Sequence, residues 1–130
     1  MNHDRILWVL QWVFGLYFIA FGVMHFAVPE GLPQTLEFMY DLDDTLHYVT
    51  GVAEILGGLG LILPGLTGIS PELTSWAAVG LALVMTGAII YHSGRGEFLN
   101  IVLNVIVGGA MIYVAYGRWR LAPLRARAVV

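Results

Sequence analysis

The chain has 130 residues, 58% of them hydrophobic and 12% charged, with a formal net charge of −3 and no cysteine. A mean hydropathy of +0.79 is too high for an ordinary soluble domain and points to an integral membrane protein. The lack of cysteine excludes disulfides, dithiol exchange, thiolate-held clusters and cysteine-attached haem, and an acidic chain without a basic aromatic surface excludes nucleic-acid binding.

Residues 6–28 carry no formal charge beyond any proton on His25. At about 1.5 Å per residue they reach roughly 35 Å, enough for the hydrocarbon core of a bilayer. A secretory signal is the competing identity for this segment, but the apolar run is too long and no small-residue cleavage site follows, so a stable first span is expected. In residues 29–46, Leu32, Leu36, Met39, Leu42 and Leu46 recur at three- and four-residue spacing with Glu37, Asp41 and Asp44 between them. This pattern predicts an amphipathic helix on the outer surface, either a lid over the bundle or a gate over a ligand entrance.

Residues 48–63 form the second predicted span, which Pro64 and Gly65 are expected to end. Ser70 suits a cap and Pro71 a first helical position ahead of the third span at 73–91; the fourth covers 98–116. The connections after the second and third spans are short, which forces adjacent antiparallel helices. The predicted fold class is therefore all-α: a single-domain, integral membrane four-helix up-down bundle with an amphipathic outer segment between helices 1 and 2.

There is no lysine; Arg5 precedes the first span, and Arg118, Arg120, Arg125 and Arg127 lie in the tail at 117–130. By the positive-inside rule both termini are cytoplasmic, and the acidic first loop faces outward. The tail arginines read as a topology signal, with anionic-lipid contact as a second role. Trp8, Trp12, Trp76, Trp119, Tyr48, Tyr91, Tyr113 and Tyr116 fall mostly near span ends, as an aromatic belt requires.

Glu54 interrupts the second span. An ionised acid at the centre of a membrane helix costs roughly 2.5–3.5 kcal/mol on insertion scales, so such a residue faces a bundle interior or a cavity. His25, His47 and His92 all fall near the outer side. Asn100 and Asn104, four residues apart, share one face of the fourth helix, and Glu54 lies seven residues, or about 10 Å, inward from His47. Two roles stay open for Glu54. It joins helix 2 to helix 4 through Asn100 or Asn104, or it exchanges a proton with a lipid-soluble ligand such as a quinone, with His25, His47, His92, Asn100 and Asn104 as ligand-binding candidates.

The three histidines with Glu54 would be the donors of any metal site, but no local spacing orients two of them together, and neither metal nor haem is expected. Gly15 and Gly22, with Gly51 and Gly58 flanking Glu54, suit close helix approach. In the turn His92-Ser-Gly-Arg-Gly-Glu97, Arg95 and Glu97 are placed to pair at the surface.

An ordered series of these segments resembles the DoxX-like small membrane proteins: Gly22-Val-Met-His-Phe26, Gly51-Val-Ala-Glu-Ile-Leu-Gly-Gly58, Gly60-Leu-Ile-Leu-Pro-Gly-Leu-Thr-Gly68, Leu73 through Ala88, His92 with Arg95-Gly-Glu97, and Gly117-Arg-Trp119. The resemblance implies a four-helix membrane fold. It implies no single activity, although some relatives are linked with thiosulfate oxidation to quinone or with membrane redox-stress complexes. Many relatives carry a lysine near the place of His25. The leading expectation is a small prokaryotic inner-membrane protein that binds an apolar ligand, a quinone, and assists a redox partner protein. The alternatives are a non-catalytic assembly subunit and a small homo-oligomeric transporter.

Overall fold

The computed structural model describes residues 2–128; Val129 and Val130, the last of the expected arginine tail, lie outside the described residues. Its long helices are α1 (His3–Phe26), α3 (Asp44–Thr67), α4 (Leu73–Arg95) and α5 (Phe98–Tyr116), with a single-turn helix α2 (Phe38–Asp41) in the first connection. A π-helical turn, Gly117–Leu121, extends α5. Four helices are long and apolar enough to cross a membrane, and no strand occurs among the described residues, so the fold is an all-helical membrane bundle.

Local chemistry sets most helix ends. The Asn2 side chain accepts from the Arg5 backbone N–H at the start of α1, and Asp43 does the same for Leu46 at the start of α3. Gly68 closes α3 and Gly96 closes α4, each at φ 69°, the left-handed conformation in which glycine avoids a Cβ clash. Ser70 does not cap α4 with its side chain. It adopts φ 45°, and its carbonyl accepts from the Leu73 N–H.

Two segments differ from the sequence expectation. α3 runs through Pro64 and Gly65 and stops only at Gly68. Proline removes one backbone donor, the one that would have met the Gly60 carbonyl, but the helix goes on past it: the Gly68 N–H donates to Pro64 O at 2.9 Å, and Thr67 Oγ1 adds a bond to the Leu63 carbonyl at 2.8 Å. Residues 29–46 do not form one amphipathic helix. They make a 3₁₀ turn at Gln34–Leu36, the short α2 and an extended break at Leu42, after which Leu46 already belongs to α3. Pro33 and the Asp43 cap divide the segment, and of its apolar stripe only Met39 is fully buried.

α1 packs on α3, α3 on α4 and α4 on α5, whereas α1 and α5 touch little. Leu7, Phe18, Leu61, Leu81, Met85, Met111 and Val114 fill the interior, while Leu16, Leu56, Leu83, Ile90, Ile106 and Ile112 point outward as lipid-facing side chains must. Glycines set the α1–α3 distance. A Cβ on Gly58 would lie 2.6 Å from the Gly15 carbonyl oxygen, and one on Gly22 would lie 2.8 Å from that of Gly51. These are backbone neighbours and cannot swing away.

At the end of the bundle that carries both termini, Arg118 is buried. Its Nε donates to Gln11 Oε1 and its Nη1 to Asp4 Oδ1, both at 2.6 Å, and Gln11 Nε2 donates to the Leu61 carbonyl at 2.6 Å. The guanidinium also lies over the Trp8 ring, 5.2 Å from its centroid. An arginine expected as a topology signal thus ties α1, α3 and the π-helical turn together.

Gly58→Val is expected to destabilise the bundle by about 1–3 kcal/mol, the usual range for overpacking. Gly80→Val is expected to be close to neutral, because a Cβ there meets nothing within 4 Å. Thermal unfolding of both variants in the same detergent checks the contrast; equal loss in both would contradict it.

Candidate functional site

The last turn of α1 and the first turn of α3 meet at the opposite, loop-bearing end. The glycine contacts below them bring the backbones close enough for short side chains to touch, and a Cβ on Gly51 would stand 3.0 Å from His25 Cβ. His25 Nδ1 lies 2.9 Å from His47 Nδ1, and His47 Nε2 lies 2.9 Å from the carbonyl oxygen of Met39 in α2. Two turns deeper, Glu54 Oε2 stands 3.6 Å from His25 Nε2, within ion-pair range but outside hydrogen-bond distance. All three side chains are buried, and Glu54 Oε2 has no hydrogen-bond partner among the described residues.

A cavity of about 350 Å³ opens beside this cluster, lined by His25, Met39, Tyr40, Asp44, His47 and Tyr48 among others. The site therefore runs from a polar mouth at the loop end to an unsatisfied carboxyl inside the span. A buried acid beside an imidazole can hold or transfer a proton.

The other candidates lie apart from this line. Glu54 does not pair with Asn100 or Asn104: Asn104 Nδ2 donates to the Asn100 carbonyl on its own helix at 2.7 Å. The reason is topological, since α3 and α5 are not packing neighbours in the chain-order arrangement of the bundle. Asn100 is buried, and Asn104 is partly buried. His92 is buried as well but faces Glu97, with Nδ1 2.5 Å from Oε2, and its ring meets Phe38 edge-on at 4.6 Å between centroids. Among the described residues no group of three or more His, Cys, Asp or Glu is arranged to hold a metal ion.

Glu97 also accepts from Arg95 Nε at 2.8 Å, and Arg95 Nη2 donates to Asp41 Oδ2 at 2.8 Å. This clasp ties α2 to the α4–α5 turn, so Arg95 and Glu97 form more than the surface pair expected from sequence. Sequence reasoning missed Asp41 and the Met39 carbonyl, because neither carries a signal without the loop's path. It also missed Gln11, although a lone amide in an apolar span was a readable cue for the Arg118 tie.

Burial alone would raise the Glu97 pKa, but the hydrogen bonds from His92 and Arg95 and their charge outweigh it and hold the carboxyl below its usual value of 4.5. The folded-state pKa is depressed, so the clasp's contribution is complete above the ordinary carboxylate pKa and is lost as pH falls through the lower folded value. Amide hydrogen exchange at Met39–Leu42 is expected to quicken as pH drops below about 4.5, after correction for the intrinsic exchange rate. Glu97→Gln is expected to show the quickened exchange already at neutral pH.

Neither the curated proteins nor the solved structures give a significant match. A family model described as DoxX-like matches residues 9–115, which reach from within α1 to the last turn of α5 and take in both the His25–His47–Glu54 line and the clasp. With that match covering most of its length, and with four membrane-crossing helices, the chain is a multi-pass membrane protein that belongs to the DoxX-like family.

Proposed function

We propose that this protein binds an apolar redox-active ligand, a quinone, beside Glu54 and assists a redox partner protein in a prokaryotic inner membrane. The observation that carries the proposal is the buried Glu54 carboxyl, whose Oε2 is without a hydrogen-bond partner and whose neighbour is the His25 imidazole. An orphaned polar atom inside a membrane helix is retained against a cost of about 1–3 kcal/mol, which favours use over packing. A quinone, when bound, supplies two-electron chemistry coupled to protons. Glu54 takes or gives a proton at Oε2, beside the His25 imidazole. In this proposal the loop-bearing end faces outward and the arginine-bearing termini face the cytoplasm.

An assembly subunit without chemistry is the second possibility, favoured by the close α1–α3 packing through Gly15, Gly22, Gly51 and Gly58. In that case Glu54 and His25 only join two helices. Glu54→Gln keeps shape and polarity while removing the titrating proton, and so separates the two. Reconstituted Glu54→Gln is expected to bind a short-chain quinone about 3–10-fold more weakly, the effect of losing one hydrogen bond of about 1 kcal/mol, and to slow partner-dependent quinone reduction. Unchanged affinity together with unchanged reduction would sink the quinone proposal and leave the assembly role.

A further inference from the structure

The hydrogen-bond pattern around the histidine pair has a direction. A carbonyl oxygen only accepts, so the 2.9 Å contact to Met39 O requires the proton of neutral His47 to sit on Nε2. His47 Nδ1 is then a lone-pair acceptor, and the 2.9 Å contact between the two Nδ1 atoms requires His25 to carry its proton there. His25 Nε2 is left bare, and it is the atom that faces Glu54 Oε2 at 3.6 Å. Every link from Glu54 outward therefore has its donor on the inner side and its acceptor on the outer side.

We infer that Glu54, His25 and His47 form a proton relay between the membrane interior and the loop-bearing face of the protein. Protonated Glu54 gives its proton to His25 Nε2 after a side-chain swing of about 0.5 Å, which brings the pair within hydrogen-bond range. His25 releases its Nδ1 proton to His47 Nδ1, and His47 releases its Nε2 proton to water at the cavity mouth. One proton leaves the carboxyl and one reaches water, and the two imidazoles change tautomer without net charge. The same steps in reverse load Glu54 from outside.

The mouth is suited to the exchange. His47 lines the 350 Å³ cavity with Tyr40, Asp44 and Tyr48, and Asp44 is the carboxylate there that can draw a proton to the opening. From α1, Tyr17 is the other titratable side chain within electrostatic reach of Glu54. The Met39 carbonyl is the stop: His47 Nε2 gives its proton to water only when it turns from α2 toward the cavity.

This inference deepens the quinone proposal and rests on it only for what exchanges protons with Glu54 inside the membrane; the relay is tested without any quinone. The wild-type protein is reconstituted in vesicles, and time-resolved infrared spectroscopy follows the Glu54 carboxylate band, assigned by its loss in Glu54→Gln, after a pH step on the loop-bearing side. His25→Gln and His47→Gln are expected to slow the response by about 10²-fold, the low end of what a positioned proton carrier contributes. Glutamine at 47 keeps a donor for Met39 O but cannot pass a ring proton, so a merely structural histidine would be replaced without loss. In His47→Ala, imidazole added on the loop side is expected to restore the rate. A wild-type rate in either glutamine variant, or a slowed His47→Ala that imidazole leaves slow, overturns the relay whatever the quinone measurements show.

Discussion

The close approach of α1 to α3 is the constraint on which the rest of the molecule depends. Four glycines make it possible, in two facing pairs seven residues apart: Gly15 against Gly58 and Gly22 against Gly51. In lipid, helices gain little from hiding apolar surface from one another, so contact must come from tight packing and from polar groups that pair across the interface. Here the two act together. With backbones this near, an imidazole from the last turn of α1 reaches an imidazole in the first turn of α3, and the carboxyl two turns further on falls beside the same ring. Wider spacing would leave three polar side chains buried without company.

The four spans were legible because each is a long apolar run, and a membrane leaves few ways to fold one. The site was only partly legible. Counting residues from the span ends places His25 and His47 at one level and Glu54 two turns further in. Their pairing does not follow, because helices that are apolar nearly all round carry little periodicity to say which face meets which neighbour. Sequence position alone sets Glu54 against Asn100 and Asn104, which lie on the helix α3 does not pack against. The glycine spacing held the missing information, since matched intervals of seven in α1 and α3 mark facing ridges. The loop departs from its periodicity for another reason: its apolar spacing fits a helix, but Pro33 and the Asp43 cap outweigh that spacing over so short a stretch.

The two ends of the bundle use charge in different ways. At the terminal end the buried charge is a guanidinium, a rigid fork of donors with no acceptor, and Asp4, Gln11 and Ala122 O take up three of its donors. A group that only donates suits a structural tie, because each of its partners is an acceptor held in place. At the loop end the buried polar groups are imidazoles and a carboxyl, each of which can both accept and donate a proton.

That division bears on why α2 lies where it does. The Met39 carbonyl fixes the His47 tautomer, and the Arg95–Asp41 ion pair and the edge-on contact of Phe38 with His92 hold α2 in place over the cluster. The exposed Arg95–Asp41 pair contributes little stability by itself, since water screens a surface ion pair. Its consequence is positional: it keeps one backbone carbonyl aimed at one ring nitrogen. Through that single acceptor the short, irregular loop sets the direction of every donor between the surface and Glu54, which a longer amphipathic helix lying flat on the membrane would not do, its carbonyls being committed to its own turns.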